Sequence, residues 1–235
     1  KHSSQNSGKD LVYLDGDTTD AQGWGERLHA SGYPTLMVLN SQGKEMQRLQ
    51  SEESVSELVL EVKSLGNELE PIEDLFQTAL APGAKKNKIT NDDWRRLARH
   101  DWLNDARWND RLGELAIRLK DLAKTLPKEL KSETLQLQLQ GLIARINFVD
   151  EVKLPHGLGA EERREGLELI MALLSDPVLV SRHLDLLAFY SDTFAKHFFA
   201  DGDLKDQLQT FVRKYRAAFW QYRDQSGLSL ENRIY

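Results

Sequence analysis

Apolar residues fall in two different rhythms along this chain, and the change of rhythm predicts its organisation. Up to about residue 50 they come as short runs. LVYLDGD (Leu11 to Asp17) and TLMVLN (Thr35 to Asn40) are β-rich runs closed by turn residues, the pattern of buried strands. Between them Ala21, Trp24 and Leu28 share one helical face, with Asp17 or Thr18 as cap and Gly32 as the stop. Asn40 to Gly43 reads as a turn, and KEMQRLQ as an antiparallel partner whose inward positions are Met46 and Leu49. SEESVSELVLEVKSLG then changes to helical spacing through Val55, Leu58, Val59, Val62 and Leu65.

Helical spacing governs the rest. Pro71 opens a bridging helix over IEDLFQTAL, and a boundary falls in ALAPGAKKNKIT. Thr90 with Asp93 imitates a capping box. A long helix is expected from Trp108 through Leu126, stopped by Pro127, and another over Leu135, Leu139, Leu142, Ile143 and Ile146. A core stripe of Leu167, Ile170, Met171 and Leu174 follows, then a helix from Asp176-Pro177 through Leu187. A last helix carries Leu204, Leu208, Phe211, Tyr215 and Phe219. The expected fold class is α+β: a small β/α unit over residues 1–80 and a larger antiparallel all-α array of six or seven helices over 81–235.

Charge supports that division. Residues 1–80 hold 6 Lys+Arg and 14 Asp+Glu of the chain's 31 and 37, so they carry −8 and the remainder +2. Neither part is basic enough to suggest nucleic acid. No apolar run reaches the roughly 20 residues that cross a bilayer, so no membrane helix is expected. The sequence has no cysteine, which removes disulfides, thiolate metal sites and any cysteine nucleophile from this chain. Lys1 comes first and KHSSQNSGKD has no apolar core, so the expectation is a chain that begins after processing, truncation or further residues.

Gly32-Tyr33-Pro34-Thr35 stands directly ahead of the second strand. From chemistry alone Pro34 reads as a loop proline, since most X–Pro bonds are trans. Taken together, however, Leu11–Leu49 resembles the second half of a thioredoxin-like domain of the secreted bacterial type. The resemblance rests on the strand ending Asp15-Gly16-Asp17, the connecting helix and the Tyr33-Pro34-Thr35 turn. The Leu-Met-Val-Leu strand, the Gly43-Lys44-Glu45 turn and the helix after it complete the match, which covers about a quarter of the chain.

The resemblance implies that Pro34 is the family's cis-proline and Tyr33 the residue before it. In the family this loop lies beside the redox dithiol, and its backbone pairs with an extended substrate segment, so Tyr33, Pro34 and Thr35 are the implied substrate-binding residues. The family's first strands and its Cys-x-x-Cys motif have no counterpart after Lys1, so no catalytic residue is assigned and this chain is expected to be redox-silent. A half sheet would leave strand edges open unless the helices, a partner or further chain covers them.

Asp15, Asp17 and Asp20 lack a bidentate glutamate at the calcium offset and read as helix-capping acids, so no metal and no cofactor is expected. His183 and His197 show no metal-binding spacing. Trp94, Trp102 and Trp108 among arginines and aspartates read as core anchors on a solvated helix face. The functional expectation is a periplasmic or secreted thioredoxin-family protein acting on protein or peptide clients. The alternative is a non-enzymatic interaction module with a helical partner-binding domain.

Overall fold

The structure, a computed structural model, describes residues 12, 14, 18–32, 35–49, 59, 62–63, 65, 69–81, 89–154, 157–176, 179–180, 183–199, 209–217 and 220. It is mostly helical with one small antiparallel sheet, an α+β chain. Two compact units divide between Arg111 and Leu112. The charge break near residue 80 therefore does not coincide with the packing boundary: residues 89–111 belong to the first unit, because their side chains close one edge of its sheet.

In that unit α1 (Thr19–Arg27) begins where Thr18 accepts a hydrogen bond from the Ala21 N–H at 3.3 Å. It stops at His29, which takes the left-handed conformation (φ 55°) expected of Gly32. Ala21 is buried and Leu28 half-buried, but Trp24 faces out with the Arg27 guanidinium 4.5 Å over its ring. Strands β1 (Leu36–Leu39) and β2 (Glu45–Leu49) form the predicted hairpin. Asn40 Oδ1 accepts from the Gln42 and Lys44 N–H groups, and Gly43 supplies φ 75°. A bulge between Val38 and Leu39 breaks the alternation opposite Met46, which is one reason Met46, Gln47, Arg48 and Leu49 are all buried instead of Met46 and Leu49 alone.

Of the helix expected over 51–66, Val59 is exposed and Leu65 buried; Val55 and Leu58 lie outside the described residues, as does the strand expected from Leu11 apart from exposed Val12 and Leu14. Helix α2 (Ile72–Leu80) takes Pro71 as its cap and buries Ile72, Leu75, Phe76 and Ala79. Helix α3 (Asn91–Arg99) carries the predicted box: Thr90 Oγ1 accepts from the Asp93 N–H at 3.2 Å, and Asp93 Oδ2 accepts from the Thr90 N–H at 3.1 Å. Trp102 and Trp108 pack on Phe76, with ring centroids 4.4 and 6.1 Å away. Trp108 lies in a 3₁₀ turn (Ala106–Arg111) and does not start the long helix.

The second unit opens with α4 (Leu112–Thr125) and α5 (Lys131–Glu151), a close antiparallel pair. At Gly141 a Cβ would stand 3.4 Å from that of Leu119 and 3.5 Å from the Ala116 carbonyl oxygen, so the absent side chain sets how near these helices approach. Helix α6 (Ala160–Leu173) buries Gly166, Ile170 and Leu173, a stripe that shares only Ile170 with the expected one. The short helices α7 (Leu184–Phe189) and α8 (Ser191–Phe198) follow, and residues 209–217 are helical. Phe194, Phe198, Phe211 and Tyr215 form an aromatic core in which the Tyr215 hydroxyl donates to the Leu187 carbonyl at 3.1 Å. Burial pushes that hydroxyl's pKa upward. Leu204, Leu208 and Phe219 lie outside the described residues.

Candidate functional site

The loop that the resemblance marks leads into β1. Tyr33 and Pro34 lie outside the described residues; Thr35 is half-buried and its hydroxyl donates to the Gly32 carbonyl. The orientation of the strand behind it follows from Arg48. Its N–H donates to His100 Nδ1 at 3.2 Å and its carbonyl accepts from the Asp101 N–H at 3.1 Å, so both backbone groups point away from β1. Met37 is paired opposite Arg48. In antiparallel pairing such a residue directs its own N–H and C=O to the far side of its strand. Thr35 and Met37 therefore head an edge of β1 to which no strand is bonded among the described residues.

The opposite edge, that of β2, is closed from within the unit. Besides the His100 and Asp101 bonds, the Arg96 guanidinium donates to the Met46 carbonyl at 2.7 Å, and Gln47 donates to the Arg96 carbonyl at 3.1 Å. Strand edges left bare invite pairing with other chains, and this one is covered. Burial lowers the Arg96 pKa, partly countered by Asp93 and Glu70.

Behind that edge Arg48 is fully buried and all five of its guanidinium donors are engaged. Two go to Glu45 (2.9 and 3.3 Å), two to the Leu28 and His29 carbonyls (2.8 and 2.9 Å) and one to the Asn104 carbonyl. The Leu28 and His29 carbonyls end α1, so the cation also meets the negative end of that helix. Arg107 completes the cluster, donating to Asp105 Oδ1 at 2.8 Å and Glu45 Oε2 at 3.2 Å. Burial alone would lower the Arg107 pKa, but its bonds to Asp105 outweigh that and raise it. Two carboxylates and two guanidiniums thus neutralise one another, which makes the cluster a clamp.

In the second unit, His197 Nε2 lies 3.1 Å from Asp150 Oδ1, and Lys196 Nζ donates to the same oxygen at 3.0 Å. Partial burial raises the Asp150 carboxyl, but the bonds from Lys196 and His197 prevail and hold it below the usual carboxylate range. A groove of about 650 Å³ also runs between α4, α5 and α6. Leu135, Leu142, Leu158 and Leu169 line it, Lys120 and Arg145 stand on the α4–α5 side, and Glu162 and Glu165 on the α6 side. The two sides are tied by Lys120–Glu165 at 2.6 Å and Arg145–Glu162 at 2.7 Å.

Asp20 is exposed on the first turn of α1, and Asp15 and Asp17 lie outside the described residues. Among the described residues there is no group of three or more metal-ligating side chains, and no helix long and apolar enough to cross a membrane. The buried clamp has no periodic signature. Arg48 sits in a strand beside Gln47, and its partners are spread from residue 28 to residue 105. The described residues define an α+β chain whose sheet is edged by its own helical segment. No family model, curated protein or solved structure matches it.

Proposed function

We propose that this chain is the client-binding part of a thioredoxin-like thiol–disulfide oxidoreductase of periplasmic or secreted type, gripping extended protein segments and supplying no thiol of its own. The carrying observation is the order α1, Thr35, β1, β2, with an edge of β1 headed by Thr35 and Met37. Backbone groups on such an edge hold a peptide through main-chain bonds and ask little of its side chains. Reduced insulin B chain serves as an extended probe: its addition shifts the Thr35 and Met37 amide resonances ahead of those in α4 and α5. An unchanged pair of resonances at saturating peptide overturns the reading. With dithiothreitol, the chain reduces insulin no faster than buffer, since it contains no cysteine; turnover above background contradicts that assignment.

The groove favours a second reading, a non-enzymatic module that takes an amphipathic partner helix. Its apolar floor suits a leucine face, while the charges on its two sides already satisfy each other through Lys120–Glu165 and Arg145–Glu162. A synthetic helix with such a face binds the chain, and Ile117→Glu at the exposed lip weakens it by about fivefold. Equal affinity for the variant, or no binding at all, removes this reading.

A further inference from the structure

We propose that His100 is an acid-sensitive clasp on the outer edge of β2: the neutral imidazole holds the edge shut, and a proton gained at Nδ1 opens it. This inference is independent of the client-binding reading.

The clasp consists of two adjacent bonds. His100 Nδ1 accepts from the Arg48 N–H at 3.2 Å, and the next residue's N–H returns to the Arg48 carbonyl at 3.1 Å. An Nδ1 that accepts is unprotonated, so the ring carries its proton on Nε2. That nitrogen is buried and has no hydrogen-bond partner among the described residues, and Glu45 Oε1 is 3.9 Å away. Protonation at Nδ1 would turn an acceptor toward the Arg48 N–H into a donor. The two N–H groups would then oppose each other across the edge.

The surroundings oppose that charge in the closed state. His100 is fully buried against the Trp102 ring, with centroids 4.2 Å apart. Arg48 faces it from β2, Arg96 from α3 and Arg107 from the 3₁₀ turn. The acids nearby are already engaged: Glu45 with Arg48 and Arg107, Asp105 with Arg107, and Asp101 with the Asn104 amide at 2.7 Å. Burial first, and the three guanidiniums after it, hold the His100 pKa well below its ordinary value of 6.5. A ring released to solvent returns toward about 6.5. Between those two values the open form binds the extra proton, so the closed edge loses stability as pH falls below about 6.5 and is unaffected above it.

Amide hydrogen exchange on the full chain, corrected for intrinsic rate, tests the clasp. Protection at Arg48 and Asp101 falls by up to about tenfold per pH unit from pH 6.5 downward, while amides of α4 and α5 keep theirs. His100→Asn places an amide oxygen near the position of Nδ1 and does not titrate, so it flattens the profile at both positions. Protection at Arg48 and Asp101 that is independent of pH in the unmodified chain overturns the clasp. So does a slope that survives in His100→Asn. Should that variant fail to fold, imidazole ¹⁵N shifts of the unmodified chain decide. The Nε2–H tautomer persisting below pH 6 supports the clasp, and an Nδ1–H tautomer at neutral pH excludes it.

Discussion

Arg48→Met lowers the stability of the first unit by about 3–5 kcal/mol, because it deletes one charge of a buried set and leaves Glu45 and Asp105 to share the Arg107 guanidinium. The methionine fills much of the volume but donates nothing. Glu45 keeps its contact with Arg107, and the Leu28, His29 and Asn104 carbonyls each lose a donor at a partly buried position. Urea unfolding followed by tryptophan fluorescence measures the loss, since Trp24, Trp94, Trp102 and Trp108 all lie within Lys1–Arg111. A loss under about 1 kcal/mol, the scale of an exposed pair such as Arg95–Asp92, would show that the clamp is not buried as described. Arg48→Lys is expected to recover little, because an ammonium cannot span two carboxylate bonds and three carbonyls at once. Arg48→Met combined with Glu45→Leu should cost less than the two single changes added together, since the second removes the surplus charge.

The second large effect lies at Phe198. Its ring is buried, stacked on Phe194 with centroids 5.7 Å apart and set edge-on to Phe211 at 6.4 Å. Phe198→Ala empties that space and costs about 3–5 kcal/mol, read from thermal or urea unfolding by helical circular dichroism. The ring sits where Gly166 has no side chain: a Cβ there would stand 2.7 Å from Phe198 Cε1 and 3.2 Å from Leu142 Cδ1. Gly166→Ala alone is therefore overpacked and costs about 1–3 kcal/mol. In the Phe198→Ala background the same methyl meets a cavity, and its cost should fall to near zero or reverse. Strict additivity of the two changes would mean that the residues do not share this contact.

Much of this was legible from local pattern. The Asn40–Gly43 turn, the Thr90–Asp93 box, the α4 stop before Pro127 and the burial of three tryptophans each depend on residues a few positions apart, which share an environment whatever the rest of the chain does. The misreadings have a common origin in long-range contacts. Trp24 satisfied a helical face yet stands half outside, with the Arg27 guanidinium over its ring. Gly32 was the better residue for a positive φ. The chain nevertheless turned at His29, whose carbonyl is held by Arg48 and by the Ala106 N–H at 2.8 Å. In α6 the buried stripe is displaced toward Gly166 because Phe198, from a different helix, fills the glycine's space.

The zero cysteine count, the acidic first third and the change from strand to helical spacing are properties of composition and short-range order, and the sequence determined them by itself. They limit the chemistry of this chain and set its α+β class. Where one unit ends and the next begins was decided only by tertiary structure. The acidic charge break ends near residue 80, yet the sheet's outer edge needed Arg96, His100 and Asp101 to satisfy its backbone groups, and they drew residues 89–111 into the first unit. A buried hydrogen-bonding group must find its partner wherever the chain can supply one, and no periodicity records that partner's position.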